Sequence, residues 1–334
     1  MPRRGRLDAP GAIHHVFARG VARGRIFSDD KDRSMFIGHF SKLIVDSKAA
    51  CFAWSLLNNH FHILIRTGEM PLSKIMQKLL TWYSVNYNRR HHRVGHLFQN
   101  RYGAILCEEE AYLVELVRYI HLNPLGVGDV EDLKALGSYR WCGHGAIVGK
   151  TRAEWQETKE ILARFGRNKS KARASFYSFM NAGLKMSDRD LLRGGGLIRS
   201  AGGIYSLIDM ARNGERVRGD DRILGSGEFV ATALKNIEKR DRRREWVGKR
   251  YSPKDVLERA AKEMKISVDE LVRHGKRPAV VKARSLACKW LVEDLGLSGV
   301  KAGLMLGIAS STVSKHVLKG KEIEAKLGIK LDTK

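Results

Sequence analysis

The stretch CFAWSLLNNHFHILIRT (51–67) constrains the fold more than any other. It is apolar enough to demand burial, and no run of about 18 apolar residues occurs anywhere, so it is not a membrane helix. Rich in aromatic and branched residues, it reads as a strand at the centre of a sheet. Two imidazoles interrupt it. On a strand, side chains at i and i+2 share a face, so His60 and His62 project together while Phe61, Ile63 and Ile65 face the core. Two histidines on one rigid strand make a good pair of metal ligands, but such a pair alone is more often structural or incidental than functional.

The surrounding segments set that strand in an α+β frame. AIHHVFARG (12–20) reads as a further strand. DDKDRSMFIGHFSKLIVDSK (29–48) carries Phe36, Phe40, Leu43 and Ile44 at helical spacing, with acidic residues in its first turn. SKIMQKLLTWYSVNYNRRH (73–91) is helical, as is EEEAYLVELVRYIHLN (108–123), which three glutamates open and Pro124 is expected to stop. Residues 1–150 therefore predict a compact domain of helices packed on an antiparallel sheet. From about 151 the pattern turns helical and basic. RFGRNKSKARA (164–174) is a charged stretch, and RGGGLIRSAGG (193–203) and RNGERVRGDDR (212–222) read as turns between short helices. EKRDRRREWVGKR (238–250) reads as a linker, so that 151–250 is a basic connector and 251–334 a last module.

Charge narrows the partner. Lys and Arg number 61 against 36 Asp and Glu, a net of +25 with a pI near 10.1. Such an excess matches a polyanion, and nucleic acid supplies phosphates at that density. No amphipathic helix combines a basic face with a Trp/Phe face, which excludes a membrane surface. MPRRGRLDAP lacks the apolar core of a secretory signal, and Cys51, Cys107, Cys142 and Cys288 lie far apart with no CxxC pair. A cytoplasmic, nucleoid-associated location is the expectation.

Ten of the twelve histidines precede residue 150, so histidine chemistry belongs to the first domain. A third ligand to a His60–His62 metal would come from the helix 108–123. There Tyr119 and Asn123, at i and i+4, share a face, while Leu113, Leu116, Val117 and Ile120 form the docking stripe. Asn123 offers an amide oxygen, the hard donor that Mg²⁺ or Mn²⁺ prefers, one turn from a phenol. CGHGAIVGKT (142–151) mimics a phosphate-binding loop, but His144 stands where its first glycine is needed.

NNHFHILI, GHLFQNRY (95–102), YIHLNP (119–124) and SYRW (138–141), with FARGVARGRIFSDDKDRSMF (17–36), resemble in that order the HUH single-tyrosine transposases, most closely their REP-associated branch. The resemblance spans about residues 5–150. It implies a ferredoxin-like fold, with His60 and His62 as the metal pair on a central strand and Tyr119 as the nucleophile on a facing helix. Asn123 falls where some members carry Gln as third ligand. The implied chemistry is metal-dependent cleavage and transfer of single-stranded DNA beside a hairpin, through a 5′-phosphotyrosine. Arg19, Arg89, Arg90, Arg101 and His121 are the candidate phosphate contacts.

At the other end, ARSLACKWLVEDLGLSGVKAGLMLGIASSTVSKHV (283–317) predicts a helix ending at Gly296, a second helix, a turn at Gly307-Ile308, and a third. Ala302 and Gly303 permit close helix crossing, and Val313 would lock the third helix into the core. This resembles the helix-turn-helix DNA-binding domain of the replication initiator DnaA, which would place Ser310, Ser311, Thr312, Ser314 and Lys315 on a duplex-reading helix. The competing class is a non-catalytic regulator that grips hairpins and duplex without cutting. An RNA-binding sheet is disfavoured by the absence of its aromatic motif. Whether the chain is a monomer or a homodimer stays open.

Overall fold

A computed structural model describes residues 7, 11–184, 220, 222–273, 275 and 277–331. The chain divides into two compact units, Met1–Thr232 and Ala233–Lys334. The first runs β1 (Ile13–Arg19), α1 (Asp30–Ser47), β2 (Ala50–Leu57), β3 (His60–Arg66), α2 (Leu72–Arg90), β4 (Gly103–Cys107) and α3 (Glu109–Gly126). Five strands among its described residues lie in the order β2-β3-β1-β4-β5, where β5 is Ile223–Leu224. The β1 to β4 pairings are antiparallel, and with α1 and α2 as crossovers this is the ferredoxin-like arrangement. The sheet is mixed rather than purely antiparallel, because β5 joins β4 in parallel.

Three sequence expectations are corrected here. The single strand read over 51–67 is a hairpin, turning at Asn58 and Asn59 between paired Leu57 and His60. The turn is anchored from outside. Ile26 and Phe27 donate backbone N–H groups to the Asn58 carbonyl, and Gly20 donates to that of Asn59. Pro124 does not stop α3, which runs on to Gly126; in the last turn its missing N–H costs one hydrogen bond only. The charge block 238–250 is not an irregular linker but the end of a helix, Gly227–Arg250. Its charges are spaced for helix support, with Glu238–Arg242 and Glu245–Lys249 pairs at i and i+4. The turns read at 193–203, and those at 212–222 apart from 220 and 222, lie outside the described residues.

Both faces of the sheet are covered, which explains why β3 reads as nearly continuous apolar sequence. On one face Val16, Ala18, Phe61, Ile63 and Ile65 pack against Phe36 and Phe40 of α1 and Leu79 and Tyr83 of α2. On the other, Ile13, Phe52 and Leu64 pack against Leu113, Leu116, Val117 and Ile120 of α3. Ile161, Phe176 and Met180, from the helices Lys159–Ala163 and Lys169–Gly183, join this second core. Arg66 fastens the end of β3 to that layer by donating to both carboxylate oxygens of Glu160, at 2.9 and 2.6 Å, and to Glu109 at 2.6 Å.

The second core also encloses two imidazoles, His121 and His144, both 0% exposed with ring centroids 5.8 Å apart. Among the described residues none of their four ring nitrogens has a hydrogen-bond partner. Burial, helped by Lys150, lowers His144 from 6.5 to about 4, and burial with His144 beside it holds His121 well below the usual range. As pH falls, the unfolded chain protonates His144 near 6.5 and the folded one only near 4, so in that window the unfolded state binds more protons. Stability is therefore full above about 6.5 and falls with acidification; the difference is about 3 kcal/mol for this group alone. Melting temperatures measured across that window should drop for the wild type and drop less for His144→Phe. An equal drop in the two proteins would remove His144 as the cause.

Among its described residues the elements of the second unit are all helices: the end of Gly227–Arg250, then Pro253–Glu263, Val268–Val272, Pro278–Lys289, Gly299–Met305 and Ser310–Leu327. Ser252 with Asp255 and Ser267 with Glu270 form capping boxes on the second and third of these. The helix Pro278–Lys289 continues into a π-type turn, Trp290–Asp294, which ends it just before Gly296 at φ 76°. Trp290, Leu286, Ala302, Leu306 and Val313 are core. Ionic groups are enclosed with partners. Arg284 donates to the carbonyls of Leu271, Arg273 and Gly275, and Lys289 to Asp294 at 2.8 Å and Glu324 at 2.7 Å. Gly299–Met305 and Ser310–Leu327 make a helix, turn and helix, with Gly307 at φ 63° in the turn.

Candidate active site

The site lies on the sheet face that α3 covers. Register places Phe17 opposite His62 and Arg19 opposite His60, so β1 and β3 present one array on this face: His15, Phe17 and Arg19 beside His60 and His62. α3 brings Tyr119 to the array. Its ring meets His62 and His15 edge-on, with centroids 5.7 Å from each and interplanar angles of 82° and 79°. His60 stands edge-on to His62 at 5.1 Å. The expected pair and nucleophile are thus neighbours.

Their surroundings favour the neutral form of both strand imidazoles. His62 is only 8% exposed. Burial first, then His15, His60 and Arg19, keep it well below the usual histidine range. Burial and the adjacent Arg19 lower His60 to about 4. Local hydrogen bonds also set its tautomer. The Asn59 amide nitrogen donates to the Arg23 carbonyl at 3.1 Å, which turns the Asn59 oxygen toward His60 Nδ1, 2.6 Å away. That oxygen only accepts, so Nδ1 carries the hydrogen and Nε2 keeps its lone pair. His62 Nδ1 lies 2.9 Å from His15 Nε2. Asn123 donates its amide N–H to the Tyr119 carbonyl at 2.8 Å, one turn back on α3, which leaves its side-chain oxygen as a donor atom.

Imidazole nitrogens suit borderline first-row divalent ions, and an amide oxygen such as that of Asn123 is the harder donor that Mg²⁺ or Mn²⁺ prefers. Among the described residues no three His, Cys, Asp or Glu side chains are gathered to hold a metal by themselves. A cation here would therefore need a ligand outside those four residue types.

Sequence reasoning missed His15 and Phe17. Phe17 is 36% exposed, with its ring centroid 5.4 Å from that of His15 and 6.1 Å from that of His62. Its place depends on Gly103 of β4, where a Cβ would run into the Phe17 ring. The period-2 run His15, Phe17, Arg19 was the available signal; its register against His62 was not.

The expected DNA contacts divide. Arg19, Arg89 and Arg101 are exposed. Arg90 is instead tied to Asp29 and to the fully buried Asp32, beside His91. His121 is enclosed in the core rather than turned to the surface. In the second unit Ser311 and Lys315 are exposed and Thr312 is half-buried on the helix Ser310–Leu327.

Comparison with known proteins gives three findings. Residues 11–123 match the family model described as "Transposase IS200 like". No curated protein matches. One solved structure, "Structure of the REP associates tyrosine transposase bound to a REP hairpin", is similar at a TM-score of 0.37 and 15% identity, covering 47% of this chain and 98% of that one. Among the described residues no helix is long and apolar enough to cross a membrane.

Proposed function

We propose that this chain, which carries an IS200-like transposase segment over residues 11–123, is a divalent-metal-dependent endonuclease and strand transferase acting on single-stranded DNA beside a hairpin. The observation that carries the reading is the Tyr119 ring set edge-on to two imidazoles from two strands, at 5.7 Å from each. A module that only binds DNA has no use for a phenol held edge-on between two imidazoles.

Tyr119 is the nucleophile. Its phenolic oxygen attacks the scissile phosphorus in line with the 3′-oxygen. The Tyr O–P bond forms as the P–O3′ bond breaks, and the proton lost by the phenol is balanced by the one the departing 3′-oxygen gains, passed directly or through water. The products are a 5′-phosphotyrosine and a free 3′-hydroxyl. The phosphodiester energy is kept in the new bond, so a second 3′-hydroxyl can reverse the step without a nucleotide cofactor. His60, His62 and Asn123 would hold Mg²⁺ or Mn²⁺, which when bound polarises the phosphate. Arg19, exposed opposite His60, is assigned to the flanking phosphate, and Phe17 offers a ring for an unpaired base. Arg89 and Arg101 extend the basic surface. Arg90 and His121 are given no DNA contact. Duplex recognition belongs to the second unit, through Ser311, Thr312 and Lys315 at the start of their helix.

The test is direct. A 3′-labelled hairpin DNA with a single-stranded tail, incubated with the protein and Mn²⁺, should give an adduct that survives denaturation and maps by mass to the Tyr119 peptide. EDTA should abolish it. An adduct on another residue rejects the nucleophile, and EDTA-resistant cleavage rejects the metal.

A further inference from the structure

Of the side chains packed around Tyr119, His15 has no role in the chemistry proposed above, yet it touches both partners of the site. It is 6% exposed and stacks on His62, with centroids 5.1 Å apart and planes 24° from parallel. It meets the Tyr119 ring edge-on at 5.7 Å. Its Nε2 lies 2.9 Å from His62 Nδ1, so one nitrogen donates and the other accepts. We propose that His15 is the positioning residue of this site: it accepts the His62 Nδ1–H, locks His62 with its Nε2 lone pair toward the site, and sets the angle of the Tyr119 ring.

The neighbouring histidine makes the same assignment from independent bonds. His60 Nδ1–H is fixed by Asn59, whose own orientation the Arg23 carbonyl fixes. Two ligands on one strand can hold one cation only if both present a bare nitrogen. His62 completes the pair only as the Nδ1–H tautomer, and His15 is the acceptor within reach of that hydrogen. A histidine donating its second nitrogen to an oriented acceptor is the usual support of a metal-binding imidazole, and its loss typically weakens metal affinity about 10–100-fold. Here the acceptor is an imidazole on the adjacent strand, so the support comes from β1 and the register of the sheet sets it.

This inference rests on the proposed nuclease reading, but the primary test does not use DNA. In ¹⁵N-histidine-labelled wild type, long-range proton–nitrogen correlations should show His62 protonated on Nδ1 and His15 bare on Nε2. The Nε2–H form of His62 would overturn the proposal without any variant. His15→Leu should release the tautomer and weaken Mn²⁺ binding, followed by water proton relaxation, at least about 10-fold. His15→Gln, whose side-chain oxygen reaches the same point, should restore the Nδ1–H form and most of the affinity. Unchanged Mn²⁺ affinity in a folded Leu variant would also overturn the proposal. If the Leu variant does not fold, the Gln variant decides, because it must keep the tautomer. Absence of a DNA adduct in the wild type would sink the nuclease reading and leave the tautomer result standing; an adduct with an Nε2–H His62 would do the reverse.

Discussion

Tyr119→Phe is expected to abolish the covalent protein–DNA adduct while hairpin affinity stays within about twofold. The substitution deletes one oxygen. The phenyl ring left in its place would keep the edge-on contacts with His15 and His62, since those involve the ring and not the hydroxyl. Its apolar support is untouched too, because Leu116, Val117 and Ile120 beside it dock α3 to the sheet. What disappears is the nucleophile, and removing a nucleophile typically costs at least about 10³-fold in rate. Tyr112, seven residues earlier on α3, is the internal control: Tyr112→Phe should cleave at wild-type rate. Denaturing electrophoresis of labelled DNA reads both. Residual adduct in the Phe variant at the wild-type level would move the chemistry to another residue.

The second large effect is one of stability. Gly320, in the middle of the helix Ser310–Leu327, lies where that helix crosses Pro278–Lys289. A Cβ there would overlap the Ser285 carbonyl oxygen and sit 2.8 Å from Lys289 Cβ. The first of these is backbone and cannot turn aside, so the helices must part. Overpacking of this kind costs about 1–3 kcal/mol, and the better helix propensity of alanine returns about 1 kcal/mol at most. Gly320→Ala should therefore destabilise the second unit by about 2 kcal/mol at the upper end of that range, and Gly320→Leu by more. Gly248, on the helix Gly227–Arg250, meets nothing within 4 Å, so Gly248→Ala should stabilise by a few tenths to about 1 kcal/mol. Hydrogen exchange followed peptide by peptide separates the outcomes: amides of Pro278–Lys289 and Ser310–Leu327 should open faster in the Gly320 variants and not in the Gly248 variant. Equal exchange in all three would show that the crossing tolerates a side chain.

The parts of the fold that local pattern governs were legible, and those that long-range pairing governs were not. Phe36, Phe40, Leu43 and Ile44 marked the buried stripe of α1, and the alternation around His60 and His62 marked the site face of β3. The hairpin at Asn58-Asn59 escaped notice because its flanks are equally apolar, and its anchors are Gly20, Ile26 and Phe27, distant in sequence. Pro124 misled because proline was read as a stop, whereas in a final turn it removes only one donor. β5 is two residues long and carries no periodicity at all. In the site, Tyr119 and the histidine pair came from motifs on single elements. His15 did not, because its meaning lies in a cross-strand register. His121 misled for the opposite reason: its residue type suits phosphate, and only the core around it, with His144 beside it, shows that it faces inward. Arg90 is a half-exposed guanidinium whose pairing with Asp29 and Asp32 the sequence did not show.

β5 bears on which edge of the sheet another chain could reach. A free strand edge is a row of unpaired amides and carbonyls that will accept any extended chain. Here the outer edge of β4 is occupied: Leu106 donates to the Arg222 carbonyl, Glu108 donates to that of Leu224, and the Glu108 carboxylate receives the Ser226 amide. The segment that blunts this edge is supplied from beyond residue 220, whereas the catalytic candidates all precede residue 124. The cover on this edge of β4 is thus written in a different part of the gene from the candidate site residues.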